Sequence, residues 1–348
     1  MNNAELLRFL VEVPSVSGNE AALADLLSQR LDEDGFRVER EANNLWFTLG
    51  VSGGPHLVLL SHIDTVPPAE GWTGDPFKLR LEEGRLIGLG ANDAKGCVAA
   101  MILAARELRE EKVEDAITFA FVAEEERGGD GVRAVKPKLG RIDAAIIGEP
   151  TALQVCTAQR GMLILRCTAH GESAHAAHAH LGENAIHKAA RDIARLSAMA
   201  LGASPQVTQI SGGLARNQVP DRCEFFVDIR TTPKVEHDAL VAEIEAALES
   251  EVVVHSKRYE PVATDESEMI VRAALQSANA SAGVGSETTS DWAFLKGIPA
   301  VKAGPGDTRR SHRPNEYLLE SELAAGAAFY AATVREYFAL AAREVVHA

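Results

Sequence analysis

The chain is poor in aromatics, cysteine and positive charge, and it has no long apolar run. Each shortage narrows what it can be. Aromatic residues make up only 5% of 348, so cores must be built mainly from aliphatic side chains, for which a 46% hydrophobic content suffices. Four cysteines, Cys97, Cys156, Cys167 and Cys223, include no C-x-x-C pair. Their helical or strand-like apolar contexts predict buried reduced thiols rather than disulfides. Lys and Arg number 35 against 50 Asp and Glu, a net charge of −15. That balance argues against a nucleic-acid partner or an anionic membrane surface; it serves solubility or favours cationic ligands. No stretch reaches the roughly eighteen apolar residues of a membrane span. Residues 1–10 form a short amphipathic pattern without a basic n-region or cleavage site, so a cytoplasmic location is expected. The length suggests about two domains.

What is present centres on Leu57-Val-Leu-Leu-Ser-His62-Ile-Asp64. This apolar run, bounded by Gly53-Gly54-Pro55 and Pro67-Pro68, reads as a buried strand. Positions i and i+2 of a strand share a face, so His62 and Asp64 can point into one pocket. A carboxylate beside an imidazole is how proteins hold a metal-binding histidine in one tautomer.

Along the rest of the chain, Ser17-Gly-Asn-Glu20 has the spacing of a capping box opening a helix that stops near Gly35. A hairpin is expected around Glu82-Glu-Gly-Arg85, and a helix carries Val98, Met101, Ile102, Ala105 and Leu108. Ile117–Ala123 and Ala144–Gly148 read as further buried strands with a short helix between them. Strands alternating with helices imply a mainly parallel sheet flanked by helices, an α/β fold that binds ligands at the carboxyl ends of its strands. His62, Glu126 and Glu149 all fall just past such ends. From about Arg160 the pattern changes to strands at Met162–Thr168, Val207–Ile210, Glu224–Arg230 and Glu251–His255, with helices at 184–199 and 237–248. This predicts an inserted α+β layer at 159–261, splitting a first domain into 1–158 and 262–348. The first pattern then resumes with a helix from Glu268, the strand Ile298–Lys302 and a last long helix from Glu320.

Five side chains can converge: His62, Asp93, Glu126, Glu149 and His312. Two histidines and three carboxylates suit two adjacent divalent ions with one carboxylate between them, and mixed nitrogen and oxygen ligands favour zinc, cobalt or manganese. Glu125, beside Glu126, can serve as general base. Singly, each has an ordinary explanation: a solvated acidic turn for Glu124-Glu125-Glu126, a helix cap for Asp93, a polar loop for His312.

Five motifs in order outweigh those explanations: His62-x-Asp64, Gly90-Ala-Asn-Asp93-x-Lys95-Gly96, Glu124-Glu-Glu126-x-Gly128-Gly, Gly148-Glu149-Pro150-Thr151 and Ser311-His312-x-Pro-Asn-Glu316. Together they resemble the di-zinc metallopeptidases and deacylases that include acetylornithine deacetylase, succinyl-diaminopimelate desuccinylase, aminoacylase and glutamate carboxypeptidase. The resemblance spans nearly the whole chain. It implies a di-zinc exopeptidase-like fold in which His62, Asp93 and Glu149 hold one zinc and Asp93, Glu126 and His312 the other. Asp93 would be the bridge, Asp64 the partner of His62, and Glu125 the base; a slip of one residue would instead make Glu124 the base and Glu125 the ligand. The insert resembles the family's dimerisation domain, implying a homodimer. Gly171-Glu-Ser-Ala-His175 resembles the motif whose histidine stabilises the oxyanion, typically in the partner subunit's site. Gly212–Pro220 and Asp228-Ile-Arg230 resemble the substrate-binding stretch, with Arg230 on the α-carboxylate and Asn217 on a polar group. Thr289-Ser290-Asp291 and Gly304-Pro-Gly306 resemble loops that close over substrate, and Glu287 and Asp291 are acidic candidates near a substrate ammonium. The nearest likeness is to short acetylornithine-deacetylase-type enzymes of arginine biosynthesis, acting on a small N-acyl amino acid. Hydrolases of carrier-linked lysine or ornithine, deacylases of succinylornithine or acetylcitrulline, desuccinylases and dipeptidases share the layout. A non-catalytic dimeric metal-binding protein is the reading of another class.

Overall fold

The structure is a computed structural model that describes residues 3–51 and 53–347. The chain separates into two compact units: Met1–Ala158, Ala263–Ser286 and Ser290–Ala348 form the first, and Gln159–Val262 with Glu287–Thr289 the second.

The first unit is built on a mixed sheet whose middle is parallel. Leu57–His62 runs parallel to Ile117–Val122 on one side and to Ala144–Ile147 on the other, and Ala144–Ile147 runs parallel to Ala300–Lys302. Every residue of these four strands is buried, as expected for strands covered on both faces, and their sequences accordingly show apolar runs rather than alternation. Antiparallel strands flank the parallel core: Asn44–Leu49 lies beside Ile117–Val122, and Cys156–Gln159 beside Ala300–Lys302. The helices Asn3–Glu12, Ala21–Glu33, Lys95–Glu110, Met269–Ser277 and Glu320–His347 contribute buried side chains to the core of this unit. In Lys95–Glu110 the buried Val98, Met101, Ile102, Ala105 and Leu108 carry the helical period visible in the sequence.

The strand Asn44–Leu49 is not anticipated by the pattern. Its first four residues are all buried, including Asn44, whose side-chain Oδ1 accepts from the Ala123 N–H at 2.9 Å. An Asn-Asn pair ahead of a short apolar run looks like a turn. Tertiary packing decides otherwise, with Phe47 stacked on Phe36 and Phe119 at ring-centroid distances of 4.2 and 5.3 Å.

The second unit is an antiparallel four-stranded sheet in the order Ser204–Gly212, Arg222–Thr231, Gly161–His170, Glu251–Tyr259. Arg222–Thr231 shows the period-two alternation of a sheet with one wet face, burying Cys223, Phe225, Val227 and Ile229. The helices Ala185–Ala198 and His237–Ala247 supply Ala185, Ala189, Leu196, Leu240 and Ile244 to the same core. All four cysteines are buried and free. Among the described residues, no helix is long and apolar enough to cross a membrane.

Candidate active site

The parallel strands of the first unit end in the candidate residues. His62 is the last residue of its strand, Glu149 comes two residues after Ile147, and Glu125 and Glu126 open a single 3-10 turn, Glu125–Arg127, just past Val122. Asp93 stands in the turn before the helix Lys95–Glu110. It does not cap that helix: the cap position is Ala94, and no side-chain cap bond forms. His312 follows the short turn Thr308–Arg310 and has a left-handed backbone, φ +60.

These side chains meet. Asp93 Oδ1 lies 3.4 Å from His62 Nε2, and Asp93 Oδ2 lies 3.7 Å from His312 Nε2. His312 Nε2 also lies 2.9 Å from Glu126 Oε1. Three triads place one ligand-type atom each within 4.8 Å of one another: His62–Asp93–Glu149, Asp93–Glu126–His312 and His62–Glu125–Glu126. Asp93 belongs to two of them. Imidazole nitrogens and carboxylate oxygens at this spacing are a donor set that fits divalent ions of the zinc type. Glu124, with φ +61, joins none of the triads.

Asp64 does more than accompany His62. His62 Nδ1 is 3.0 Å from the Asp64 carbonyl oxygen and 3.4 Å from its Oδ1, so main chain and side chain both face that ring nitrogen. Asp64 Oδ1 accepts from the Glu125 N–H at 3.1 Å; Oδ2 accepts from the Glu126 N–H at 3.2 Å and from Ser17 Oγ at 2.6 Å. One buried carboxylate thus orients the glutamate turn as well as the strand end. Ser17 corrects the capping-box expectation. The helix Ala21–Glu33 has Glu20 at its cap position with no side-chain cap bond. The Ser17 hydroxyl goes to Asp64 because a charged acceptor makes the stronger hydrogen bond. Nothing local in the sequence distinguishes the two uses of that serine.

The electrostatics are those of crowded acids. Burial holds the Glu125 carboxyl well above the usual carboxylate range against the pull of His62, and Asp291, Glu126 and Asp64 push it further. Glu149 is raised well above its ordinary value by burial and then by Asp93. Burial disfavours a charged His62, yet the Asp64 and Asp93 carboxylates outweigh it and raise the imidazole well above its usual range. The bond to Glu126 lifts His312 to about 9. Carboxylates gathered in low dielectric are costly unless a cation neutralises them.

The remaining predicted residues have different surroundings. His175, in the second unit, is exposed, and its Nδ1 accepts from the Ala177 N–H at 3.1 Å. Asn217 is exposed, with its carbonyl accepting from the Ala176 N–H. Arg230 donates through Nε and Nη2 to the two oxygens of Asp228 at 2.8 and 3.0 Å. Glu287 is 81% exposed and paired with Arg160 at 3.0 Å. Asp291, in the first unit, is 1% exposed, and neither of its oxygens has a hydrogen-bond partner among the described residues. Gly304 lies in the first unit. It is buried, its N–H donates to Thr151 Oγ1, and its carbonyl accepts from the Thr151 and Leu153 N–H groups. A Cβ there would meet Glu149 O, Cys97 Sγ and the Tyr330 hydroxyl within 2.7 Å. This glycine permits close packing behind Glu149.

Comparison with known proteins agrees with this architecture. Residues 58–336 match peptidase family M20/M25/M40. The chain is 32% identical over 336 residues to the succinyl-diaminopimelate desuccinylase of Stenotrophomonas maltophilia, covering 85% of this chain and 88% of that one. It is also 32% identical over 358 residues to the acetylornithine deacetylase of Proteus mirabilis, covering 90% and 91%. In fold it is similar to the Bacillus subtilis YXEP protein, described as a dinuclear metal binding peptidase, with a TM-score of 0.76, 18% identity and 97% of both chains covered. The chain belongs to peptidase family M20/M25/M40 and is a hydrolase of that family.

Proposed function

We propose that this protein is a metal-dependent amidohydrolase that removes the acyl group from the α-nitrogen of N-acetyl-L-ornithine, a step of arginine biosynthesis. One observation carries the metal chemistry: Asp93 turns one oxygen to His62 and the other to His312. A carboxylate shared in this way supports two adjacent divalent ions, zinc or in its place cobalt or manganese. His62, Asp93 and Glu149 would hold one, and Asp93, Glu126 and His312 the other. Such ions polarise an acyl carbonyl and make water acidic near neutral pH.

Glu125 is the proposed base. Its buried carboxyl, raised in proton affinity, suits a group that must take and return a proton near neutrality. It accepts the proton of the attacking water and delivers it to the departing nitrogen. The water oxygen adds to the carbonyl carbon and the C–N bond breaks, leaving a carboxylic acid and an amine. Asp64 keeps the glutamate turn in place through both N–H groups. His175 is the proposed oxyanion donor. With Nδ1 accepting a backbone N–H, the ring proton sits on Nε2, which is then available to donate. Arg230 is assigned to the α-carboxylate and Asn217 to a polar substrate group.

A homodimer is the proposed assembly. The strand Ser204–Gly212 lies at a sheet edge, and Ile210 and Leu214 nearby are 56% and 90% exposed. An open edge bordered by apolar side chains favours pairing with a second copy.

The Proteus relative's activity and the acidic chain support an ornithine derivative. A second reading, N-succinyl-diaminopimelate, is favoured by the Stenotrophomonas relative at equal identity. Measuring kcat/KM for N-acetylornithine, N-acetylcitrulline, N-succinyl-diaminopimelate and N-acetyl derivatives of apolar amino acids tests both. The expected order is ornithine, citrulline, then apolar, because citrulline has similar reach without a charge. Equal values for the first two would remove the charge argument, and a preference for the succinyl substrate would install the second reading.

A further inference from the structure

Beside the ligand-type residues lies a hydrogen-bond network that none of their roles uses. Asn92 and Glu316 are 0% and 2% exposed. Glu316 Oε1 accepts from the backbone N–H groups of Asn92 and Asp93, each at 2.9 Å. The Asn92 amide works in the opposite direction. Its Oδ1 accepts from the Asp307 N–H at 2.9 Å, and its Nδ2 donates to the Asp307 carbonyl and to Ser311 Oγ, each at 3.1 Å. The turn before the helix Lys95–Glu110 and the segment 307–316 are thereby laced together from both sides. Asp93 directly follows Asn92, and His312 directly follows Ser311. Gly306 makes the approach possible, since a Cβ there would collide with Asn92 Oδ1.

Burying two polar side chains is costly unless their hydrogen bonds are made. Apolar contact could join two loops, but it would not fix their register. Here the amide oxygen and both amide hydrogens of Asn92, the residue before Asp93, are used on Asp307 and on Ser311, the residue before His312. The triad Asp93–Glu126–His312 takes two of its three members from the laced segments; the triad His62–Asp93–Glu149 takes one.

We propose that Asn92 and Glu316 are positioning residues that set the separation of Asp93 and His312, and so control occupancy of the cation position those two share with Glu126. This rests on the two-cation reading above. It predicts an asymmetry: loosening the network weakens one ion far more than the other.

The test uses the full chain, loaded with zinc and dialysed against a series of buffered free-zinc concentrations, with metal per chain measured by elemental analysis. Wild type should hold two ions. Asn92→Ala and Glu316→Ala should keep one ion and release the other at roughly 10–100-fold higher free zinc than wild type does, the scale seen when groups orienting metal ligands are removed. Their kcat should recover at saturating zinc with KM unchanged. Glu316→Gln retains an oxygen for both N–H groups and should bind like wild type. If the alanine variants fail to fold, Asn92→Asp carries the test: it keeps the acceptor for Asp307 and loses both donors, so the same selective release is expected. A purely structural role would lower the melting temperature and leave the zinc isotherms superimposable. Superimposable isotherms, or equal weakening of both ions, overturn the proposal. Wild type holding fewer than two ions overturns the two-cation reading itself, and this inference with it.

Discussion

The two units of the chain hold their candidate residues in opposite ways. In the first, Asp93, Glu126 and Asp64 are 12%, 11% and 0% exposed, other polar groups fix their positions, and only His312 among the proposed ligands is half-exposed. In the second, His175 and Asn217 are exposed, and Arg230 is 37% exposed with its guanidinium on a neighbouring carboxylate. Bond cleavage requires preorganised groups whose geometry is set before substrate arrives. Recognition tolerates groups that become ordered on contact. On the proposed reading, this divides the labour: chemistry in the metal-ligating cluster, selectivity and pairing in the inserted unit. Variants in the two units should consequently fail in different ways.

The largest effect should come from the cations. Removing metal with a chelator should abolish turnover, and zinc should restore it. His62→Ala should lose one ion and nearly all activity, because His62 is buried between Asp64 and Asp93 and supplies the one imidazole of its triad with Asp93 and Glu149. Metal content and kcat/KM measured on the same preparation would check this; full activity in metal-free protein would end the assignment. Next comes Glu125→Gln, expected to keep both ions and the fold while cutting kcat by roughly 10²–10⁴, the range of a lost general base. An unchanged rate would remove the role from Glu125.

Much of this division is visible in the sequence, for identifiable reasons. Strands buried on both faces leave apolar runs, so Leu57–His62, Ile117–Val122 and Ala144–Ile147 announce themselves, and so do the acids that follow them. The alternation of Arg222–Thr231 marks a half-wet sheet equally well. Other features depend on contacts between distant positions. Ser17 bonds to Asp64 across 47 residues, and Asn92 reaches Asp307 across 215. A serine three residues before a glutamate looks the same whether it caps a helix or serves a buried carboxylate. Gly304 reads as a loop glycine, and only the structure shows Cys97 and Tyr330 packed close against it. Asp228 and Arg230 share a strand face by the same i, i+2 rule that pairs His62 with Asp64, but that their side chains bond to each other is seen only in three dimensions.

A smaller effect is expected in the inserted unit. His175→Ala should lower kcat with the metal content untouched, because the proposed loss is one oxyanion donor, worth about 10²–10³ in rate. Mixed with Glu125→Gln under conditions where subunit exchange is shown separately, it should regain activity if the histidine serves the partner's site. Exchange without recovery would place its action within one chain or dismiss it.

The smallest effect concerns Arg230, and it separates recognition from chemistry most directly. Its Nε–Nη2 edge is engaged by Asp228, so a substrate α-carboxylate would be met by the remaining Nη1 side or would displace Asp228. Either way the planar fork matters, because lysine cannot hold one carboxylate and present a second donor edge in the same plane. Arg230→Lys should therefore raise KM for N-acetylornithine by about tenfold, close to the value of one hydrogen bond to a charged group, with kcat and metal content near wild type. Asp228→Asn distinguishes the two modes. If Asp228 must be displaced, weakening its hold should lower KM; if it braces the guanidinium, KM should rise as in Arg230→Lys. A fall in kcat at constant KM for either variant would assign this strand to the chemistry and erase the division between the two units.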